Sequence, residues 1–172
     1  MYAVVTNCTR EKLDFASPAR DLYRGPSVQR VVKVVDEARS QGVPVSLYII
    51  SARYGLVGEH DVIEPYDETL SGRSHEEIKR WARAVGLHTA FRRLAEANTV
   101  ILVVTKAYYI AVEDVACQYD VYVLAPFRAC GRWIKTGNFD RHIALRKLLK
   151  SLWSSAPPEG ARRRRRGSGD RE

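Results

Sequence analysis

Four short apolar runs, separated by amphipathic helical patterns, constrain the fold of this chain more than any other feature. The runs cover residues 2–6, 45–50, 99–104 and 120–124. Continuous apolar runs of this length are typical of strands buried on both faces, and helices alternating with such strands favour parallel pairing. We therefore expect an α/β fold: a three-layer α/β/α sandwich with a mainly parallel four-stranded sheet in the order 2-1-3-4.

The helices are marked by start signals. Ser17 and Pro18 predict the start of a short helix, and a valine stripe at helical spacing predicts a second helix from about Ser27. Ser74 and Glu77 form a capping-box pattern that predicts another helix. Two more helices are predicted over residues 107–118 and 138–153, and loops over residues 51–73 and 127–137.

The charge of the chain indicates the class of partner. The formal net charge is +8 at pH 7, and such a surplus favours a nucleotide or nucleic acid. We expect one domain over residues 1–153 and a disordered basic tail over residues 154–172. The arginine run at residues 162–166 fits either a nucleic-acid-binding tail or a solubilising tail. No apolar run reaches the ~20 residues of a membrane span and no signal peptide is evident, so we expect a cytoplasmic protein without a membrane partner.

The sequence indicates neither a metal site nor a cofactor. Cys8, Cys117 and Cys130 are odd in number and widely spaced, so they predict buried or idle thiols rather than a disulfide framework or a zinc site. The histidines have no ligand spacing with cysteines or carboxylates. The glycine motifs of phosphate loops and dinucleotide-binding folds are missing.

The residues that follow the predicted strands are the most chemically varied in the chain. Carboxyl ends of parallel strands share one edge of the sheet, and ligands of open α/β sheets bind there. Arginine and lysine pair with phosphate, and aromatic rings stack on bases. The sequence therefore predicts a nucleotide or nucleic-acid site at this edge. The strand-end candidates for ligand binding are Asn7, Cys8, Arg10, Ser51, Arg53, Tyr54, Gly55, Lys106, Tyr108 and Arg128.

Carboxylates near the second strand supply candidates for catalysis. Glu64 and Asp67 lie close in sequence to the Arg53 loop. A carboxylate in a cleft can act as a general base or stabilise an oxocarbenium-like centre. The alternative is that these groups bond to loop amides or neutralise Arg53 and Arg73. Glu64, Asp67 and the strand-end Lys12 are the catalytic candidates.

Cys8 has two possible roles. It follows a strand and lies near Arg10 and Lys12, where a positive field favours the thiolate nucleophile. No histidine base is identifiable nearby, and the alternative is that Cys8 packs in the wall of a pocket.

Four ordered segments, at residues 7–12, 17–23, 48–56 and 63–70, carry a resemblance to a known family. The family pattern is Cys-Ser-x-x-Lys, Pro-Ala-x-x-Leu-Tyr, Leu-Ser-Ala-Lys-Tyr-Gly-Leu and Pro-Tyr-Asp-x-Thr-Leu. Over about residues 3–70 the chain resembles this uncharacterised prokaryotic and phage domain family. The family is similar to the peroxide-stress protein YaaA and, more loosely, to uracil-DNA glycosylase-like domains of deazaguanine-modifying enzymes.

The resemblance implies a uracil-DNA glycosylase-like fold and a role linked to nucleic acid. Arg53 stands where the family usually has lysine, and a guanidinium stays protonated and cannot form a Schiff base. Lys12 and Lys106 are then the remaining amine candidates. The pocket residues that the resemblance implies are Cys8, Lys12, Tyr23, Ser51, Arg53, Tyr54, Gly55, Tyr66 and Asp67.

Three functional hypotheses follow from these residues. The first is a glycosidase or transferase that acts on an N-glycosidic bond of a nucleotide or nucleic acid. In it, phosphate is held by Lys12, Arg53 and Arg128, and the base stacks on Tyr54 and Tyr66. The second is a non-catalytic DNA-binding stress-response protein. The third is a nucleotide-sensing module that acts through a partner protein.

Overall fold

A computed structural model describes residues 1–155 of the chain. It is an α/β protein with a mixed six-stranded sheet, a separate two-stranded sheet and six helices. The strands are β1 (Tyr2–Asn7), β2 (Ser17–Pro18), β3 (Val45–Ser51), β4 (Gly55–Gly58), β5 (Val62–Ile63), β6 (Thr99–Val103), β7 (Tyr122–Ala125) and β8 (Arg132–Lys135). The helices are α1 (Ala19–Leu22), α2 (Pro26–Ser40), α3 (His75–Ala84), α4 (Leu87–Ala97), α5 (Lys106–Ala116) and α6 (Arg141–Ser155).

The large sheet has the strand order β4-β3-β1-β6-β7-β8. Its four central strands β3, β1, β6 and β7 are those predicted from the apolar runs, they pair in parallel, and their order is confirmed. The expectation of a mainly parallel four-stranded sheet is wrong, because β8 extends the sheet on one side and β4 adds an antiparallel edge on the other. These two strands occupy stretches predicted as loops.

The core lies on both faces of the large sheet. Along β1, Val4 belongs to one apolar cluster, whereas Ala3 and Val5 belong to the other, since neighbouring side chains of a strand point to opposite faces. Helices α2 and α6 pack together against the first face, and α3, α4 and α5 pack on the second. Helices therefore cover both sides of the sheet.

The helix signals were partly correct. Ser74 is the N-cap of α3, and its hydroxyl accepts a hydrogen bond from the Glu77 amide at 3.2 Å, which confirms the predicted cap. Ser17 is not a cap. It pairs with Ile63 in the small antiparallel sheet, its hydroxyl donates to the Phe15 carbonyl, and Pro18 takes the N-cap position. The last helix is described from Arg141 to Ser155 and so extends past the predicted domain boundary at residue 153, and the remainder of the predicted basic tail lies outside the described residues.

Cys117 and Cys130 form a disulfide, so the expectation of idle thiols is wrong for both residues. Cys117 caps the C-terminus of α5, and Cys130 lies in the β7–β8 connection. The α5 crossover brings their Cα atoms to 4.9 Å, within the range that a disulfide spans. The spacing in the sequence does not reveal this proximity. Disulfides are rare in cytosolic proteins, so the bond does not favour the expected location.

Glu59 fixes the connection that follows β4. Its side chain is 5% exposed and accepts hydrogen bonds from the guanidinium groups of Arg20 and Arg39 and from the Leu47 amide. Burial raises the pKa of Glu59, but the Arg39 hydrogen bonds and charge and the Leu47 amide outweigh it and hold the pKa below its ordinary value. The carboxylate thus ties the β4–β5 connection to α1, α2 and β3. None of the helices within residues 1–155 has the length and apolar character required to cross a membrane.

Candidate functional site

The large sheet has a crevice between the carboxyl ends of β1 and β6. These strands are neighbours, but α2 packs on one face of the sheet and α5 on the other. Such a switch point is where open α/β sheets bind ligands. Asn7 spans the crevice, because its side-chain oxygen accepts from the Thr105 amide at 2.8 Å and its side-chain nitrogen donates to the Cys8 carbonyl at 3.0 Å.

An open groove of about 940 Å³ extends from this crevice. Its walls come from the segment after β1, from the segment between β5 and α3, and from the start of α5. Its charged walls hold two cations and three carboxylates, so the groove itself does not share the positive surplus of the whole chain. The sequence-predicted residues that line it are Asn7, Cys8, Arg10, Lys12, Tyr66, Asp67 and Tyr108.

Three buried hydroxyl groups form a connected network beneath the groove. The Ser51 hydroxyl donates to the Tyr66 hydroxyl at 2.8 Å, and the Tyr23 and Tyr66 hydroxyls are 2.7 Å apart. Burial raises the pKa of Tyr23 to about 12 and raises the pKa values of Tyr66 and Tyr108 well above the usual tyrosine range. The three phenols therefore stay neutral near pH 7 and act as hydrogen-bonding groups, not as anions.

Lys12 is positioned by backbone pairing. The Leu13 amide donates to the Leu22 carbonyl and the Arg24 amide donates to the Glu11 carbonyl, so the segment after β1 is held antiparallel to residues 22–24. The Lys12 ammonium lies 4.6 Å from the ring centroid of Tyr66, within the range of a cation–π contact. It forms no ion pair with the described residues.

Gly25 allows this segment to approach α2 closely. Its amide donates to the Thr9 hydroxyl at 3.1 Å. A Cβ at position 25 would lie 2.5 Å from the Thr9 Cβ, which is too close for two carbon atoms. The glycine before the valine stripe therefore has a steric role beside the groove.

The β3–β4 turn supports the groove from behind. The Ser51 hydroxyl accepts from the amides of Arg53 and Tyr54, and Gly55 adopts φ +76°, a conformation that favours glycine. Tyr54 packs its ring against Tyr66 with centroids 5.8 Å apart, and the Arg53 guanidinium lies 5.3 Å from the Tyr54 ring centroid. Ser51, Arg53, Tyr54 and Gly55 do not line the groove, but Ser51 and Tyr54 contact Tyr66, which does.

Cys8 contacts the groove directly. Its sulfur lies 3.0 Å from the Tyr108 hydroxyl and the residue is half-buried. No histidine is among the described residues that line the groove. The thiol therefore has a tyrosine partner in the pocket wall, and the arrangement supplies no imidazole base for a thiolate nucleophile.

Three further predicted site residues do not line the groove. Glu64 is exposed beyond β5, Lys106 is exposed at the first position of α5, and Arg128 is exposed in the β7–β8 connection. That connection packs on α5 instead, because the Cys130 amide donates to the Tyr109 hydroxyl at 2.8 Å. Of the four strand-end segments predicted to converge, those after β1 and β6 line the groove, whereas those after β3 and β7 do not.

A smaller cavity of about 50 Å³ adjoins the groove and was missed by sequence reasoning. It shares Asn7, Ser27 and Thr105 with the groove, and its cationic walls come from Arg30 of α2 and Arg141 of α6. No motif marks these arginines, since each sits in an ordinary helical pattern far from the other in sequence. Further groove residues that sequence reasoning missed are Thr9, Glu11, Ser27, Glu68, Thr69, Ser71 and Thr105.

Comparison with known proteins gives one match. The model of a family of unknown function, DUF6884, matches residues 3–132, which confirms the expected relation to an uncharacterised domain family. No curated protein and no solved structure matches the chain. The matched residues include every groove-lining side chain and Arg30, whereas Arg141 lies beyond them. Within residues 1–155, no three metal-ligating side chains stand close enough to hold a metal ion.

Proposed function

The chain belongs to DUF6884, a family of unknown function, and we propose a function from the groove itself because the family supplies none. The protein binds a nucleotide or a nucleic-acid strand at the carboxyl ends of β1 and β6 and acts on an N-glycosidic bond there. One observation carries this proposal: Lys12, Asp67 and two neutral tyrosines line a single groove at the point where the strand order reverses.

Binding follows from the chemistry of the walls. Tyr66 and Tyr108 line the groove and are 8% and 7% exposed, so only a small part of each ring is open to contact with a base. Lys12 and Arg10 offer positive charge for phosphate. The groove is open, so it accepts either a free nucleotide or a nucleotide turned out of a strand.

The proposed reaction is hydrolysis or transfer at C1′ of the sugar. Water, or another acceptor hydroxyl, attacks C1′ while the bond from C1′ to the base nitrogen breaks with its electron pair on the base. Asp67 accepts the proton of the attacking hydroxyl and stabilises the positive charge that develops at C1′. The Lys12 ammonium donates a proton to the departing base nitrogen.

The sequence resemblance adds support to this proposal. The segments that are similar to YaaA and to uracil-DNA glycosylase-like domains include Lys12, Tyr66 and Asp67. A uracil-DNA glycosylase-like arrangement of the fold is part of the proposal. Glu64, the other carboxylate candidate, has no contact with the groove and takes no part in it.

The test measures binding and base release separately. Fluorescent single- and double-stranded oligonucleotides and a panel of nucleotides are titrated at two salt concentrations, and released bases are measured by mass spectrometry. We expect Asp67→Asn to bind normally and to release base about 10²- to 10⁴-fold more slowly. The matched control is Glu64→Gln, which removes an exposed carboxylate outside the groove and should leave turnover unchanged.

The outcomes separate the hypotheses. Equal turnover by Asp67→Asn and the wild type removes Asp67 from the mechanism. Salt-sensitive binding of oligonucleotides without base release contradicts catalysis and supports a non-catalytic nucleic-acid binder. Binding of mononucleotides alone, without base release, supports a nucleotide sensor. Absence of all binding at low salt refutes the proposal.

A further inference from the structure

The small cavity beside the groove has the size and lining of an anion site. Its volume is about 50 Å³, and one buried water needs roughly 10–15 Å³ by the same kind of measure, so it holds about four water-sized groups. That number suits the oxygens of one phosphoryl group. Its charged and titratable walls are Arg30, Arg141 and His142, and no carboxylate is among the described residues that line it.

The two arginines of this cavity have no partner of opposite charge. Neither Arg30 nor Arg141 forms an ion pair within the part of the chain that the structure describes. The Nε atom of Arg141 is buried and has no hydrogen-bond partner. A buried donor on a cation is costly to leave unpaired, so the geometry calls for an acceptor that the described residues do not supply.

Other positive groups surround the same space. Burial lowers the pKa of Arg141, and the preceding Asp140 only partly opposes this effect. Burial also lowers the pKa of His142, and the charges of Arg30 and Arg146 lower it further. The charge of Asp140 raises it, but by less. The cavity also receives the first turn of α2, which has no capping side chain and therefore leaves amide donors that favour anions.

We propose that Arg30 and Arg141 form a phosphate subsite, so that the ligand of the adjoining groove is a phosphorylated nucleoside and not a free nucleoside. The subsite and the groove share Asn7, Ser27 and Thr105 in their walls, so the two spaces adjoin and one ligand would extend past these residues from one to the other. The phosphoryl group accepts hydrogen bonds from the two guanidinium groups, and the sugar and base extend toward Tyr66 and Asp67. The assignment of the base to the groove rests on the proposed function.

Phe139 leads to a second prediction, about whether the bound phosphate belongs to a mononucleotide or to a longer strand. Phe139 lines the cavity and the residue is 83% exposed, an unusual position for a large aromatic ring. A strand that continues beyond the bound phosphate can stack its next base on this ring. Mononucleotides and oligonucleotides share the phosphoryl chemistry, and Phe139→Ala distinguishes them because it should weaken only the oligonucleotide.

The experiment is a calorimetric titration of the full chain with inorganic phosphate, adenosine, adenosine 5′-monophosphate and a short single-stranded oligonucleotide. We expect the monophosphate to bind at least tenfold more tightly than adenosine. Arg141→Gln and Arg30→Gln should each weaken the monophosphate roughly 10- to 100-fold and leave adenosine unchanged. The control is Arg93→Gln, which makes the same charge change at an exposed position of α4, on the opposite face of the sheet.

Thermal unfolding of each variant guards against misfolding. Arg30 is exposed, so Arg30→Gln should keep the wild-type melting temperature even if the variant of the half-buried Arg141 does not. Monophosphate binding by Arg30→Gln and Arg141→Gln that equals binding by Arg93→Gln overturns the subsite. Phosphate-dependent binding that is lost in these variants, without any base release by the wild type, supports the subsite while the glycosidic reaction fails. Base release that is equal from adenosine and its monophosphate supports the reaction and overturns the subsite.

Discussion

Replacing Glu59 by glutamine tests how much one buried carboxylate contributes to the fold. Its oxygens accept from Arg39 through both terminal nitrogens, one of them at 2.8 Å, from Arg20 at 2.8 Å, and from the Leu47 amide at 3.0 Å. Glutamine keeps the volume but places an amide donor against guanidinium donors, so at least one contact becomes repulsive and the charge is lost.

The expected loss of stability is about 3 kcal/mol. Removing one partner of a fully buried ion pair costs about 3–5 kcal/mol, and the lower end applies here because the side chains of Arg39 and Arg20 are 31% and 20% exposed. For a domain of this size, each kcal/mol lowers the melting temperature by about 2–4 °C. We therefore expect Glu59→Gln to melt roughly 6–12 °C below the wild type.

The pH dependence of the unfolding free energy provides an independent check, because its direction follows from the lowered pKa of Glu59. The folded protein holds the pKa of Glu59 below its unfolded value, so its stabilisation is complete above the unfolded pKa of about 4.3 and is lost as the pH falls through the folded pKa. The difference in unfolding free energy between wild type and Glu59→Gln should therefore be constant from pH 7 to about pH 5 and shrink in stronger acid.

The assay is urea unfolding followed by circular dichroism at a series of pH values. The matched control is Glu37→Gln, because Glu37 pairs with Arg146 at 3.0 Å with both side chains more than a third exposed. Such a pair contributes less than about 1 kcal/mol. A Glu59 variant as stable as the Glu37 variant, or a difference that grows in acid, would refute the assignment of Glu59 as a buried anchor.

Two further stability predictions concern the groove and the disulfide. Tyr66→Phe leaves the buried hydroxyls of Ser51 and Tyr23 without their shared partner and should cost about 1–3 kcal/mol in urea unfolding; an unchanged midpoint would contradict the network. Cys117→Ser releases the bond to Cys130 across a separation of 13 residues and should cost about 3 kcal/mol, and reductant should lower the melting temperature of the wild type but not of the variant.

The central strands could be predicted because a strand that is buried on both faces consists almost entirely of apolar residues. β1, β3, β6 and β7 contain runs of aliphatic residues, and right-handed crossovers leave few possible orders. The edge strands could not be predicted in the same way. β8 is half-buried with a cation at each end, and its pairing with β7 is made by the backbone, which the side-chain pattern does not record.

The groove could be predicted in outline because topology brings strand ends together whatever their side chains are. Its details could not, since they depend on the direction of single side chains. Ser51 and Gly55 were both expected to bind ligand. The Ser51 hydroxyl instead bonds to Tyr66 and to two amides, and Gly55 provides the positive φ of the β3–β4 turn. Arg30 and Arg141 meet only because α2 and α6 pack together, which is a tertiary contact without a local signal.

Under the proposed function, the division of charge between the two adjoining spaces determines the orientation of a bound nucleotide. The groove walls carry more carboxylates than cations, whereas the cavity walls carry arginines and no carboxylate among the described lining residues. A phosphate is therefore attracted more strongly to Arg30 and Arg141 than to the groove, where the carboxylates offset Arg10 and Lys12. Under the proposed function, this polarity points the sugar and base into the groove. The same carboxylate that would discourage a phosphate there is then the one that faces the developing charge at C1′.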